Sequence, residues 1–346
     1  MKRIENILGF ILIAFLLTAG QVIFKGNFFR IFIGLGFGYT LTRGYMGFAG
    51  SVNRVCRTGS TKLTKVLVVA LITMIFFGMG VFIGLPWAKS YSWINNSLIK
   101  VGDRNGVFMP DLFKFDGLNG YLGATLLTAA FVGLVFFFAN KFEAKRKKEG
   151  RNPGVDSEIL QESVVKENKG LYDILFVKPW SLTTGAAVIV ALFAILTGVT
   201  GNGWGASTIH GFWFGNILTT FGASADALAE YTGSSAKFFN GFLVHPVGFQ
   251  NFGIILGTLI YLLTAGIFKS TFLSEIKIKP KEILIFAIGG LAMGIGTRLS
   301  NGCNVGALYT PIANFSLSGW IFFIFLFAGG ILGNKIRGGK KINCVN

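Results

Sequence analysis

The stretch 289–309, GGLAMGIGTRLSNGCNVGALY, places an arginine, two asparagines and a thiol inside an apolar, glycine-rich run: Arg298, Asn301, Cys303 and Asn304, with Gly302 between them. Hydrocarbon offers unpaired backbone groups no partner, so a helix break at membrane depth survives only beside protein or a wet cavity. An intramembrane arginine costs about 2.5–3.5 kcal/mol on insertion scales unless something compensates it. The segment therefore reads as the lining of a pathway. Its guanidinium supplies a fixed positive charge, and its thiol offers a weak S–H donor or, as thiolate, a nucleophile. Residues 304–314 are expected to form a half-helix whose first N–H groups point at an anion.

A second arginine, Arg43, lies in the similar run GLGFGYTLTRGYMGFAG at 34–50. Each arginine has an alternative reading, as a helix-end side chain that snorkels or caps neighbouring carbonyls. Cys303 has one too, as a small buried hydrophobe. Carboxylates are scarce in the apolar segments, and Asp226 and Glu230 fall on a predicted outer loop. Cations without local counter-charge point to an anionic solute. His210 sits among glycines at 198–216, where a pathway role and a structural hydrogen bond are both open.

These residues need elements to hold them, and composition says which kind. The 346 residues are 52% hydrophobic and only 14% charged, with 48 glycines and a mean hydropathy of +0.62. Apolar runs of about 20 residues recur, whereas a β-barrel would show short alternating segments. The fold class is an all-α polytopic membrane protein. Expected spans are 4–24, 62–85, 119–139, 180–199, 248–268, 282–297 and 318–334, with a Gly-broken segment at 31–52 that also crosses. The count is about 8–9 transmembrane helices. The pieces 204–221 and 303–314 are expected as Gly-broken half-helices that meet at a central pathway. Gly44, Gly47 and Gly50, and Gly329, Gly330 and Gly333, are spaced for close helix packing.

The formal charge of +17 comes from basic residues clustered in short loops, the pattern of the positive-inside rule rather than of nucleic-acid binding. It places both termini in the cytoplasm of a cell whose inner membrane holds the protein. Cytoplasmic too are the charged loop 140–178, the basic stretches 54–65 and 269–281 and the basic tail, where Cys56 and Cys344 are expected to be incidental, solvated thiols. The loops 86–118 and 223–247 fall outside, with Trp87 and Trp93 in an interfacial belt. The N-terminal apolar segment lacks a small-residue cleavage site and is read as a retained span.

The chain divides into an N-terminal membrane half (1–139), the loop 140–178, a C-terminal membrane half (179–337) and a basic tail (338–346). A weak repeat relates the halves. Aligning 34–50 with 289–305 pairs Gly34 with Gly289, Thr42 with Thr297, Arg43 with Arg298 and Gly47 with Gly302. Repeated interrupted segments mark midplane sites in transporters. Three cysteines without metal-type spacing and two histidines leave nothing to hold a metal, haem or other cofactor, and no enzyme is expected.

The segment 289–320 closely resembles the C-terminal signature of the YeeE/YedE family of sulfur-compound membrane transporters. QNFGIILGTLIYLLTAGIFK (250–269) looks like that family's Asn-x-Gly-Ile helix, and GFGYTLTRGYMGFAGSVNR (36–54) like its N-terminal motif. The resemblance implies an inner-membrane transporter or channel for thiosulfate or a related sulfur anion, with cysteines along a central path contacting the solute. On that resemblance Cys303, Arg298, Asn301, Gly302 and Asn304 match the C-terminal motif, and Arg43 the N-terminal one. Gly47 and Phe48 stand where a cysteine is expected after Arg43. A selenium or other small anion stays open as the cargo. So does a membrane platform that hands sulfur to a cytoplasmic carrier protein, with the basic stretches 54–65 and 269–281 as faces that bind an acidic partner.

Overall fold

The computed structural model describes residues 2–47, 55, 58, 60–74, 121–150, 170–200, 203–276, 280–300, 302–313 and 317–336. Cys56, Trp87, Trp93, Cys344, the two site residues Phe48 and Asn301, and the later part of the 62–85 span lie outside them. Among the described residues all regular structure is helical. In chain order the helices are α1 (Lys2–Thr18), α2 (Gly20–Phe24), α3 (Phe28–Arg43), α4 (Lys62–Met74), α5 (Tyr121–Lys148), α6 (Leu182–Thr200) and α7 (Thr208–Thr220). Then follow α8 (Ala225–Thr232), α9 (Pro246–Thr264), α10 (Phe268–Ile276), α11 (Pro280–Leu299), α12 (Thr310–Ala313) and α13 (Leu317–Ile336). Two π-helical turns, Asp173–Val177 and Asn304–Tyr309, interrupt the pattern.

Among the described residues five helices are long and apolar enough to cross a membrane, or six if the bent pair at the N-terminus is one span. The all-helical membrane class is thus as expected. The N-terminal spans are arranged differently from 4–24 and 31–52. Helix α1 ends at Thr18, and the chain resumes at Gly20 after a 53° bend. Thr18 Oγ1 turns back onto the Ala14 carbonyl at 2.8 Å, a bond that bends helices, and Gly20 sits under the Phe28 ring. The piece expected at 204–221 is the 13-residue α7, about 20 Å long against a hydrocarbon core of about 30 Å.

The chain forms two compact units. The first comprises Met1–Arg43, Asn168–Lys178 and Gly205–Cys303. Its centre is the pair α3–α9, where backbone meets backbone. A Cβ at Gly34 or Gly38 would collide with the Gln250 or Ile254 carbonyl, and one at Gly253 or Gly257 with the Ile31 or Leu35 carbonyl. Both helices thus carry glycines four residues apart on the contact face, the small-residue packing that lets membrane helices approach closely. Thr42 and Thr258 hydrogen-bond across the same seam at 3.0 Å. Helix α1 packs on α9 through Gly9, which lies against Thr264, and Glu5 accepts from the Phe268 N–H at the start of α10.

The second unit comprises Gly44–Glu167, Pro179–Trp204 and Asn304–Asn346. Helix α4 packs against α5 and α6, and α12 and α13 close over the second π-turn. Its core includes Phe193 edge-on to Tyr309 at 5.2 Å, Phe131 on Trp320 at 5.3 Å, and the buried Trp204, whose carbonyl accepts from Thr310. Gly319 lies against Leu308 and Ile312. By contrast, Gly329 and Gly333 of α13 face open space.

Candidate functional site

Helix α11 brings Arg298 to its last turn, where a cation suits the negative end of the helix dipole. The helix stops because its final groups bond locally. Ser300 Oγ donates to Gly296 O at 2.8 Å and to Gly302 O at 2.7 Å. The Gly302 N–H reaches back to Thr297 O at 2.9 Å. Gly302 is buried in this knot, and Cys303 follows as a free, half-buried thiol. Asn304, also half-buried, opens the π-helical turn. The expected half-helix over 304–314 is therefore a π-turn followed by the four-residue α12.

Arg298 itself is exposed, and its guanidinium lies against α7 at Gly211: a Cβ there would stand 3.1 Å from Nη2. The missing side chain makes the room. Next to it, His210 meets the edge of Trp213 at 5.6 Å between ring centres. In the sequence Gly211 is one glycine in a run of several, and only the fold distinguishes it.

Arg43 is only 3% exposed. It ends α3 and donates Nε to Lys178 O at 2.8 Å, Nη1 to Leu175 O at 2.6 Å and Nη2 to Ile174 O at 2.8 Å. A further Nη1 bond reaches Tyr39 Oη at 2.8 Å, and the group lies over the Tyr39 ring. The last carbonyls of any helix lack intrahelical partners, and here those that Arg43 meets belong to the turn Asp173–Val177 and to Lys178 just after it. Tyr261 Oη adds a bond to Val177 O, and Tyr172 Oη one to Thr264 O. This is the geometry of a carbonyl cap. Gly47 is exposed just beyond the end of α3.

The structure thus gathers Arg298, Gly302 and Cys303 at the end of α11, while Arg43 is engaged with the 173–178 turn. Each arginine stands close to a point where the chain leaves the first unit, after Arg43 and after Cys303. At the start of α9, His245 Nδ1 accepts from the Val247 N–H at 3.2 Å, stacked on Phe212 and edge-on to Phe238. Burial, with the Arg30 charge second, holds its imidazole below the ordinary histidine range. Among the described residues no group of three or more His, Cys, Asp or Glu is placed to hold a metal.

Helices this long and apolar define an all-helical polytopic membrane protein. The family model for sulphur transport matches residues 46–332, and the chain belongs to that family. The resemblance to YeeE/YedE proteins is borne out in this way. The chain is 25% identical over 286 residues to a protein named thiosulfate transporter TsuA from Spirochaeta thermophila, covering 79% of this chain and 69% of that one. It is 28% and 27% identical over 164 residues to proteins named probable transporter YedE from Salmonella typhimurium and Escherichia coli. Each of those matches covers 46% of this chain and 38% of the relative. No solved structure matches the chain.

Proposed function

We propose that this protein carries a small sulfur-containing anion, thiosulfate or a chemically related species, across the inner membrane, with both termini in the cytoplasm. The observation that carries this reading is the family match, which runs through the Cys303 break. The similarity to a protein named for thiosulfate transport supports the choice of cargo.

In this reading Cys303 touches the solute through its thiol, a weak donor suited to a soft, polarizable sulfur anion. Arg298 supplies the positive potential that draws an anion into a low-dielectric passage. Asn301 and Asn304 contribute amide donors on either side of the thiol in sequence, and Gly302 is the small residue that lets the chain break before it. Arg43 adds a second, fixed positive charge near the start of the path, with Gly47 and Phe48 beyond it. No covalent step is required; the solute exchanges water for these donors and moves on.

The test is uptake of thiosulfate, sulfite, sulfide and selenite into proteoliposomes, with the natural protein and with Cys303→Ala. Thiosulfate uptake that falls at least ten-fold in the variant, with its folding intact, is the expected result. Equal uptake by the two proteins removes Cys303 from the path, and no uptake of any of the four overturns the transport reading. In that last case, cysteine-dependent transfer of sulfur to a soluble carrier protein becomes the function to measure.

A further inference from the structure

Helix α5 runs through 28 residues, Tyr121–Lys148, roughly 42 Å, well past the end of the span expected at 139. One of its faces turns inward. Thr128 and Val132 are buried, and about three turns further along the same stripe Glu143 bonds to Thr61 and Lys65 of the α4 region and to Lys147. The opposite face carries Leu134 and Phe137, 53% and 60% exposed, and then Lys141, Lys145 and Lys148, all exposed. At 100° per residue these five positions fall on one stripe about 80° wide.

The stripe changes from apolar to basic within one turn, after Phe138. A face that is exposed and apolar in a membrane protein meets acyl chains. The continuation of that face therefore emerges into the headgroup layer, with Lys141 and Lys145 within roughly 5–11 Å of Phe138 along the axis. Among the described residues, none of the three lysines is ion-paired. Lys147, by contrast, points back to Glu143 at 3.0 Å. The charge at the end of this helix is thus sorted by face, one lysine spent on the protein and three left outward.

We propose that Lys141, Lys145 and Lys148 form a docking stripe for anionic phospholipid headgroups, which gather around the end of α5. Basic clusters just beyond a span attract anionic lipids, each lysine contributing about a five-fold preference near the surface. Continuity with the acyl-facing stripe favours a membrane lipid over a soluble acidic protein, which would have no reason to share a face with Leu134 and Phe137.

The full-length protein is reconstituted in mixed phosphatidylcholine–phosphatidylglycerol membranes and extracted with its surrounding lipid in a polymer disc, and the retained lipid is quantified. Phosphatidylglycerol is expected to be enriched over the bulk composition. Combining Lys141→Gln, Lys145→Gln and Lys148→Gln is expected to return it to the bulk ratio, while Lys147→Gln retains it. If the triple variant is poorly folded by thermal melting, the single changes Lys141→Gln and Lys148→Gln are each expected to weaken enrichment about five-fold. No enrichment in the natural protein overturns the proposal. Enrichment unchanged by the triple substitution also overturns it, including where the triple variant instead loses a soluble acidic partner.

Discussion

Arg43 shows how one residue type serves two ends. A guanidinium presents five donors in a rigid fork, and here the fork is spread over the carbonyls of Ile174, Leu175 and Lys178 and the Tyr39 hydroxyl. An ammonium cannot cover that set. Arg43→Lys is therefore expected to lower stability by about 1.5–3 kcal/mol, the scale of charge-assisted hydrogen bonds left unmade. Thermal unfolding in detergent measures it; an unshifted transition would show that the cap contributes little. The sequence made Arg43, Arg298 and Cys303 visible because polar groups are rare in apolar runs. It left open whether Arg43 capped carbonyls, since its acceptors lie far along the chain. Gly211 was invisible for the opposite reason: its contribution is a side chain that is absent.

Elements were legible where length and hydropathy alone decide them. The spans expected at 180–199, 248–268, 282–297 and 318–334 correspond to α6, α9, α11 and α13. Helix α5 outran its expected end because Lys, Glu, Ala and Arg continue a helix readily in water. The glycines were harder. Gly329 and Gly333 have suitable spacing but meet nothing, whereas Gly34, Gly38, Gly253 and Gly257 meet carbonyls. Spacing marks a face that can pack; it does not say whether another helix is there. Gly253→Ala is expected to force α3 and α9 apart and cost about 1–3 kcal/mol, as overpacking does. Gly329→Ala, made in parallel, is expected to leave the melting temperature unchanged or slightly raised. Equal effects at the two sites would contradict the packing described for the α3–α9 seam.

Across the whole molecule, each compact unit draws on chain from both sides of 151–167. In the first, α3 packs on α9; in the second, α4 and α5 pack with α6 and α13. A protease site inserted within 151–167 should therefore yield two fragments that copurify in mild detergent and separate only when denatured. Fragments that part after cleavage would mean these contacts do not hold the protein together. Such pairings are the part of a fold that periodicity cannot supply, because they join segments more than a hundred residues apart. The weak likeness between 34–50 and 289–305 does not say which helices touch.

The bond from Arg43 to Lys178 spans 135 positions of sequence. Those two residues are also where the chain departs from the first unit toward Gly44 and toward Pro179. One guanidinium thus clasps the residue at which the chain leaves to the residue at which it leaves again. Such a clasp fixes the two exits to each other, so both ends of the excursion stay registered on the first unit.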